Sequence, residues 1–451
     1  MYFKKSKFLI VGLSRSGYSA CNALLSKNAE CYIYDNNLNS GVQSNVDKLC
    51  ARGAKLVNGE NIENVIELCD VVVLSPGVAI DNEIPILARR LKKNIIGELE
   101  LGFYLTKSPI VAVTGTNGKT TTCSLIEHVL SKSSVNSFLA GNIGIPLCEY
   151  FDKSDEKSIG IVEVSSFQLE SIAFFAPHIA CILNISPDHL SRHYNMDNYC
   201  YLKGRLLKNL RESEYAVLNA DDKKICSFAE NTRAKILYFS LSEKVNGAYL
   251  LNDKIYWKDE HLLDINELSI SGIHNVQNAL ATICVCKILG VEKQVIIEGL
   301  KDFKGVKHRI QFVCEKGGVK YYNDSKSTNP MSTVSAINTV KESAHLLIGG
   351  RDKGEGYEQL FSTLDATEKV KSIILYGESS EKLYKIAKKY SKKEINLVHK
   401  FENAIKFSKL IARSGECVLL SPACSSFDEF NGFEERGERF IELINGSDVS
   451  E

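Results

Sequence analysis

The sequence predicts an α/β protein of three domains built on largely parallel sheets, and three observations lead there. Short apolar runs of strand length alternate with helix-length patterned segments along the whole chain, as in doubly wound sheets. Polar clusters recur just past the ends of those apolar runs, where open α/β sheets hold their ligands. The chain has 451 residues, enough for about two to four domains. The segments run over 1–107, 108–305 and 306–451.

The first segment opens with strand Lys7–Val11, passes through the loop GLSRSG (Gly12–Gly17) and enters a helix reaching Ser26. Strand Glu30–Tyr34 follows and ends at Asp35; strand Asp70–Leu74 ends in SPG, Ser75–Gly77. The pattern is Rossmann-like. Gly12 and Gly17, with an acidic residue about twenty positions on, invite a dinucleotide reading. Ser14 stands where the middle glycine belongs, so a nucleotide-like ligand is expected and NAD is disfavoured.

The second segment begins with the apolar stretch Pro109–Val113, the loop TGTNGKTT (Thr114–Thr121) and the helical pattern Cys123–Leu130. Strand, glycine loop and helix start make a phosphate cradle, in which backbone N–H groups and the helix N-terminus face anionic oxygens. Gly115, Thr116, Asn117 and Gly118 form the loop. Lys119 can reach the terminal phosphates and the Thr120 hydroxyl can ligate Mg²⁺, with Thr121 beside them. The match to the usual phosphate-loop pattern lacks one glycine, where Val113 sits. Strands Gly160–Val164 and Ile179–Ile185 then end in Glu163 with SSFQLE and in NISPDHLSRH. Lys119, Glu163 and His189 are expected to converge on one crevice at the strand ends. Alternating stretches in AYLLNDKIYWKDEHLL predict a small antiparallel sheet, and a helix is expected from Asn275 to Leu289. This is a central domain of the phosphate-loop ATPase type.

The third segment is again Rossmann-like, with strands at Val319–Asn323, His345–Ile348, Ser372–Tyr376 and Cys417–Leu420. Beyond their ends lie DSKSTN (Asp324–Asn329), GGRDK (Gly349–Lys353) and SPACSS (Ser421–Ser426). The lysine-rich stretch Lys382–Lys393 reads as a solvated helix face.

Composition narrows the function classes. Lys+Arg and Asp+Glu balance at 55 each, so no global field points to nucleic acid. Fourteen cysteines are scattered without a CxxC pair, which argues against a zinc or disulfide framework. The basic start MYFKKSKFLIVGL is read as a first strand, and no apolar run approaches the roughly 18 residues of a membrane span. A cytoplasmic protein without a nucleic-acid partner is expected.

Mg²⁺ prefers oxygen ligands and keeps several waters. Thr120 and Glu163 can supply the protein's share; the alternative is that Glu163 is a strand-end carboxylate facing water. His189, beside Asp188 in a loop, is either a metal or phosphate contact or a structural histidine. Lys203, on the helical pattern NYCYLKGRLLKNL, reads from spacing alone as an ordinary helix lysine. Arg309 and Lys326 either neutralise ligand charge or form surface pairs.

TGTNGKTT, EVSSFQLE, NISPDHLSRH, GIHNVQNAL, KHRI, NDSKSTNP, GGRDKG and SPACSSFDEFNGFEERG occur in the order seen in the Mur ligase family. The resemblance covers essentially the whole chain. SSFQLE, NDSKSTNP and SPACSSFDEF resemble the branch that adds D-glutamate to UDP-N-acetylmuramoyl-L-alanine. The resemblance implies a cytoplasmic, monomeric enzyme of peptidoglycan precursor synthesis that uses ATP and two Mg²⁺ sites and passes through an acyl phosphate. The runner-up is another ATP-dependent ligase of the family with a different acceptor. By resemblance, Lys119, His189 and Lys203 are catalytic, and Lys203 is carbamylated and joins Thr120, Glu163 and His189 as a metal ligand. Asn275, Arg309 and Asp324 are implied for ATP. Leu13, Ser14, Asp35, Ser75, Gly77 and Asn142 are implied for the UDP substrate, which turns the first-segment signal away from NAD. Lys326, Thr328, Lys353, Ser426 and Phe433 are implied for D-glutamate. Ser191, Gln311, Asn36 and Asn37 depart from the commoner family residues.

Overall fold

A computed structural model describes residues 3–38, 40–142, 144–352 and 356–446. The chain forms three sheets. The first contains β1 (Lys7–Val11), β2 (Glu30–Tyr34), β3 (Lys55–Leu56), β4 (Val71–Leu74) and β5 (Asn94–Gly97), in the order β3-β2-β1-β4-β5. All its pairings are parallel. β1 sits at the centre, and its side chains alternate between two cores: Phe8 and Ile10 on one face, Leu9 and Val11 on the other. Both faces are covered, which explains the unbroken apolar run that marks this strand in the sequence.

The second sheet contains β6 (Ile110–Thr114), β7 (Ser137–Gly141), β8 (Ile159–Glu163), β9 (Ile179–Ile182), β10 (Tyr215–Asn219), β11 (Lys235–Ser240), β12 (Gly247–Leu251), β13 (Lys254–Trp257) and β14 (Glu260–Asp264). Its order is β14-β13-β12-β11-β10-β9-β6-β8-β7. The antiparallel strands predicted from the alternating stretch are present as the edge of this sheet: β12 joins β11 in parallel, and β13 and β14 add antiparallel. β6 lies between β8 and β9. The chain order reverses there, which opens a crevice beyond the strand ends at the point where the glycine loop emerges.

The third sheet contains β15 (Gln311–Lys316), β16 (Val319–Asn323), β17 (Ser343–Gly349), β18 (Val370–Tyr376), β19 (Glu394–His399) and β20 (Glu416–Ala423). Its order is β15-β16-β20-β17-β18-β19, parallel except for the β15–β16 hairpin. Again one strand feeds two cores: Leu346 and Ile348 of β17 point one way and Leu347 the other. Each such fully buried aliphatic side chain contributes about 1.5–3 kcal/mol of transfer free energy.

The chain divides into two compact units. One contains Met1–Ser269 and Asn275–Phe303, hence the first two sheets; the other contains Ile270–His274 and Lys304–Glu451, hence the third. Among the described residues no helix is long and apolar enough to cross a membrane.

Candidate active site

The glycine loop leaves β6 and closes on the helix Lys119–Ser131. Gly115 and Gly118 have φ of +155° and +83°, and Gly118 is the helix N-cap. A Cβ on Gly118 would lie 2.3 Å from the Asn278 Oδ1, so glycine is required there by both conformation and space. Asn184 straps the loop: its Oδ1 accepts from the Asn117 N–H at 2.8 Å and its Nδ2 donates to the Asn117 carbonyl at 3.1 Å. The Thr116 hydroxyl donates to the Ser186 carbonyl at 3.0 Å and lies 3.1 Å from the Tyr199 hydroxyl. Lys119 folds back so that Nζ donates to the carbonyls of Gly115 (2.9 Å) and Thr116 (2.8 Å). The Thr121 hydroxyl is buried without a hydrogen-bond partner. A buried hydroxyl in the first turn of a helix, at its N-terminal end, fits a phosphate oxygen.

Glu163, at the end of β8, is 3 % exposed. It is not the solvent-facing carboxylate that spacing left open. Its Oε2 accepts from the Thr120 hydroxyl at 2.8 Å and its Oε1 from the Asn142 Nδ2 at 3.0 Å. Asn142, predicted on the UDP-substrate side, thus meets the same carboxylate as the phosphate-loop threonine. Hydroxyl plus carboxylate is a hard oxygen pair, and Mg²⁺ characteristically takes one or two such protein ligands together with waters and phosphate oxygens. Among the described residues, no group of three or more His, Cys, Asp or Glu side chains forms an all-protein metal cage.

Lys203 is 1 % exposed, which removes the ordinary surface-lysine reading. Its Nζ donates to the Gly115 carbonyl at 2.8 Å and to the Thr114 Oγ1 at 3.4 Å and lies 4.7 Å from the centre of the Tyr199 ring. Burial, followed by the charge of Lys119, holds its pKa well below the usual lysine value, with Asp188 and Glu163 opposing. Such surroundings shift the balance toward the neutral, nucleophilic amine.

His189 caps the one-turn helix Leu190–His193 with φ of +52°. Its ring packs at 4.8 Å on Phe167 of SSFQLE, and its Nε2 lies 3.7 Å from Asp188 Oδ2. His193 packs on the same phenyl ring at 5.3 Å and hydrogen-bonds the Ser166 hydroxyl at 2.9 Å. Burial, then the neighbouring charges of His189, Arg192 and Lys203, pushes His193 down to about 4. The neutral imidazole is a structural partner.

In the first sheet the Asp35 carboxylate receives the N–H groups of Leu13 (2.7 Å) and Asn37 (2.9 Å). Ser75 donates to the Gly12 carbonyl at 2.7 Å, so the Leu13 and Ser75 loops meet at the strand ends. Ser14 and Gly77 are exposed beside them.

In the second unit Asp324, 1 % exposed, accepts from the Ser421 hydroxyl at 2.7 Å and the Ile310 N–H at 3.2 Å. Burial pushes its carboxyl up to about 6, against the hydroxyls of Ser327 and Ser421 and the charge of Arg309. His308 and Ile310, flanking Arg309, have φ of +62° and +46°. That backbone is uncommon for any side chain and strained for a β-branched one. Lys326 Nζ lies 5.3 Å over the Phe433 ring. Ser426 is buried after β20, and Thr328 is half-buried. Lys353 lies outside the described residues.

Four residues escaped sequence reasoning. Asn184 begins a motif that was read for its histidine. Asn278 sits one turn from Asn275, donates to it at 3.2 Å and accepts from the Thr122 hydroxyl at 3.2 Å; the i, i+3 spacing was a usable signal. Arg192 reaches Glu170 and the SPG loop. Arg436, fully buried, gathers the carbonyls of Ser325, Gly349, Cys424 and Ser425. A buried arginine has no local sequence mark.

Comparison with known proteins adds three family matches: residues 6–97 to the MurD-like N-terminal domain of Mur ligases, 113–286 to the Mur ligase middle domain, and 308–424 to the Mur ligase glutamate ligase domain. A UDP-N-acetylmuramoylalanine--D-glutamate ligase from Caldanaerobacter subterraneus subsp. tengcongensis is 40% identical over 98% of this chain and 99% of its own. Two solved structures share the fold. The UDP-N-acetylmuramate-alanine ligase MurC from Thermotoga maritima aligns with TM-score 0.62 and 19% identity over 97% of this chain and 99% of its own. The MurF ligase from the same organism, in complex with ADP, aligns with TM-score 0.60 and 18% identity over 98% and 94%.

Proposed function

The chain belongs to the Mur ligase family, and from that premise we propose that it joins D-glutamate to UDP-N-acetylmuramoyl-L-alanine at the expense of ATP, a step of peptidoglycan precursor synthesis. The observation that carries the chemical half of this reading is the buried Thr120–Glu163 pair beneath the glycine loop, with Lys203 against the loop's Gly115 carbonyl.

A carboxylate and a triphosphate repel each other, so the chain must lower that repulsion before a phosphoryl group can pass. Gly115, Thr116, Asn117, Gly118, Thr120 and Thr121 are assigned to the phosphates, which the helix N-terminus and the threonine hydroxyls would hold. Lys119, released from its loop carbonyls, moves to the transferring phosphoryl oxygens. Thr120, Glu163, His189 and carbamylated Lys203 are the residues that would hold Mg²⁺, at two sites, where the ion would neutralise charge on the phosphate oxygens. Transfer gives ADP and an acyl phosphate on the alanyl carboxyl. The amine of D-glutamate attacks the acyl carbon, and the tetrahedral adduct loses phosphate and a proton to leave the amide.

Asn275, Arg309 and Asp324 are assigned to ATP. Leu13, Ser14, Asp35, Ser75, Gly77 and Asn142 are assigned to the UDP substrate, supported by the meeting of the Leu13 and Ser75 loops. Lys326, Thr328, Lys353, Ser426 and Phe433 are assigned to D-glutamate; an ammonium with hydroxyls suits an amino acid bearing two carboxylates. The domains follow the segments 1–107, 108–305 and 306–451, and the enzyme works as a cytoplasmic monomer.

The test is phosphate release measured with substrates omitted in turn. Release is expected only when ATP, UDP-N-acetylmuramoyl-L-alanine and D-glutamate are all present. Equal rates with L-glutamate, or with no amino acid, would overturn the assignment.

A further inference from the structure

The segment Asp188–Tyr194 does more than carry His189. Its one-turn helix Leu190–His193 is bracketed by two residues of positive φ, His189 (φ +52°) and Tyr194 (φ +68°). Neither is glycine, so the surrounding contacts hold this backbone in place. One end of the bracket faces Phe167 through the His189 ring. The other end grips the loop after β4. Arg192 makes a two-pronged pair with Glu170, Nε to Oε1 at 3.1 Å and Nη2 to Oε2 at 2.6 Å. The same guanidinium donates to three consecutive carbonyls: Pro76 at 3.4 Å, Gly77 at 3.4 Å and Val78 at 3.3 Å. It also stacks 4.8 Å over Phe167, the ring that His189 touches. The Tyr194 hydroxyl adds a second hold by donating to Asp81.

Two consequences follow. A trans peptide points its C=O and N–H in opposite directions, so fixing the Pro76 carbonyl toward Arg192 turns the Gly77 N–H away from the guanidinium. Gly77 is exposed, and a Cβ there would meet nothing within 4 Å, so the loop has open space beside this residue. The loop is also anchored to the first-sheet glycine turn through Ser75 and Gly12. A short chain of contacts thus runs from the Gly12 turn through Ser75, the loop carbonyls, Arg192 and Phe167 to His189.

We propose that Arg192 is a positioning residue for the UDP-bearing substrate: it sets the peptide planes of the Ser75–Val78 loop so that the Gly77 N–H faces the substrate's anionic group, and it ties that loop to the orientation of His189. The inference rests on the reading of this loop as part of the UDP-substrate site. Only a planar fork reaches a carboxylate and three carbonyls at once, so lysine is not an equivalent.

The test compares the wild-type protein with Arg192→Lys and Arg192→Gln. Both KM values, kcat and thermal midpoint are measured, with calorimetric titration of UDP-N-acetylmuramoyl-L-alanine. The expected result is a KM for the UDP substrate raised about tenfold or more, a lower kcat, and a KM for ATP within about twofold of wild type. Arg192→Lys retains a cation beside Glu170, so it reports on the fork even if Arg192→Gln does not fold. Wild-type KM and kcat in Arg192→Lys overturn the proposal, as does a parallel rise in both KM values with a lower midpoint, the mark of a plain structural brace. Wild-type protein that neither binds nor turns over the UDP substrate overturns instead the functional reading beneath it.

Discussion

Thr120 donates its hydroxyl to the Glu163 carboxylate across 2.8 Å, joining the first turn of the phosphate-loop helix to the end of β8. Both residues are buried. An ionised carboxylate in that position is unfavourable unless charge or hydrogen bonds compensate it, and only Thr120 and Asn142 donate to it in the described side-chain contacts. Glu163→Gln preserves shape and removes the charge. We expect kcat to fall by about a hundredfold or more, since losing even an outer partner of a metal ligand costs about 10- to 100-fold, with a raised Mg²⁺ requirement and a nearly unchanged thermal midpoint. Turnover at the wild-type Mg²⁺ optimum in the variant would contradict the metal role.

Gly118 and Asn278 are expected to be coupled. Gly118→Ala meets both a left-handed φ and a Cβ position 2.3 Å from Asn278 Oδ1. It should destabilise the protein by about 1–3 kcal/mol and abolish nucleotide binding. Adding Asn278→Ala frees the space but not the backbone, so the double variant should regain part of that stability and no ATP affinity. Strictly additive stabilities in the double-mutant cycle would show that the close approach is unimportant.

Lys203 offers a chemical prediction. Its buried, depressed amine is suited to add to CO₂, forming a carbamate and releasing a proton. Lys203→Ala should lose most activity, and a short carboxylate in the buffer should restore part of it. Depleting bicarbonate should slow the wild-type enzyme. An alanine variant with undiminished turnover rules the carbamate out.

Glu98 makes a pH prediction away from the reaction. It is 1 % exposed; Oε1 accepts from the Cys148 N–H at 2.8 Å and Oε2 has no partner. Burial raises its carboxyl to about 7 from an ordinary value of 4.5. The folded state therefore keeps a proton that the unfolded chain has already released. Its contribution to stability is fully present below about pH 4.5 and is lost as pH rises to about 7, a change of about 3 kcal/mol. Glu98→Gln should flatten the thermal midpoint between pH 5 and 8; parallel profiles would refute the assignment.

Arg436 holds the strand ends of the third sheet together. Its guanidinium reaches four backbone carbonyls and the Ser325 hydroxyl. Arg436→Met leaves those oxygens buried without a donor, at about 1–3 kcal/mol for each one that water cannot reach. Hydrogen exchange should show the second unit opening more readily while the first is unaffected. Unchanged protection near Ser325 and Cys424 would argue against this role.

Legibility in the sequence followed local chemistry. β1 and β2 match their expected bounds: β1 is the central strand with an apolar run buried on both faces, and β2 alternates buried with half-buried residues. The helix after the glycine loop begins at Lys119, before the expected Cys123, because the loop's own threonines form its first turn. β3, β5, β7, β10, β11, β15 and β19 were not anticipated: KL and NIIG are short, and KILYFS and EINLVH mix polar with apolar residues where one face is half-open. Lys203 and Glu163 were visible as residue types but not as buried ones, since burial is set by elements far away in the chain.

By itself the sequence determined the alternation of strands and helices, the phosphate-binding loop and the order of motifs that mark the family. These depend on neighbouring residues: periodicity, glycine conformational freedom and helix-start chemistry. Only the tertiary structure decided that Lys203 is desolvated against Gly115, that Asn278 occupies the space a Gly118 side chain would need, and that Arg192 spans from Glu170 to the loop after β4. Each joins groups separated by many residues. Their energies come from desolvation and hydrogen-bond geometry, which exist only once the sheets have brought those groups together.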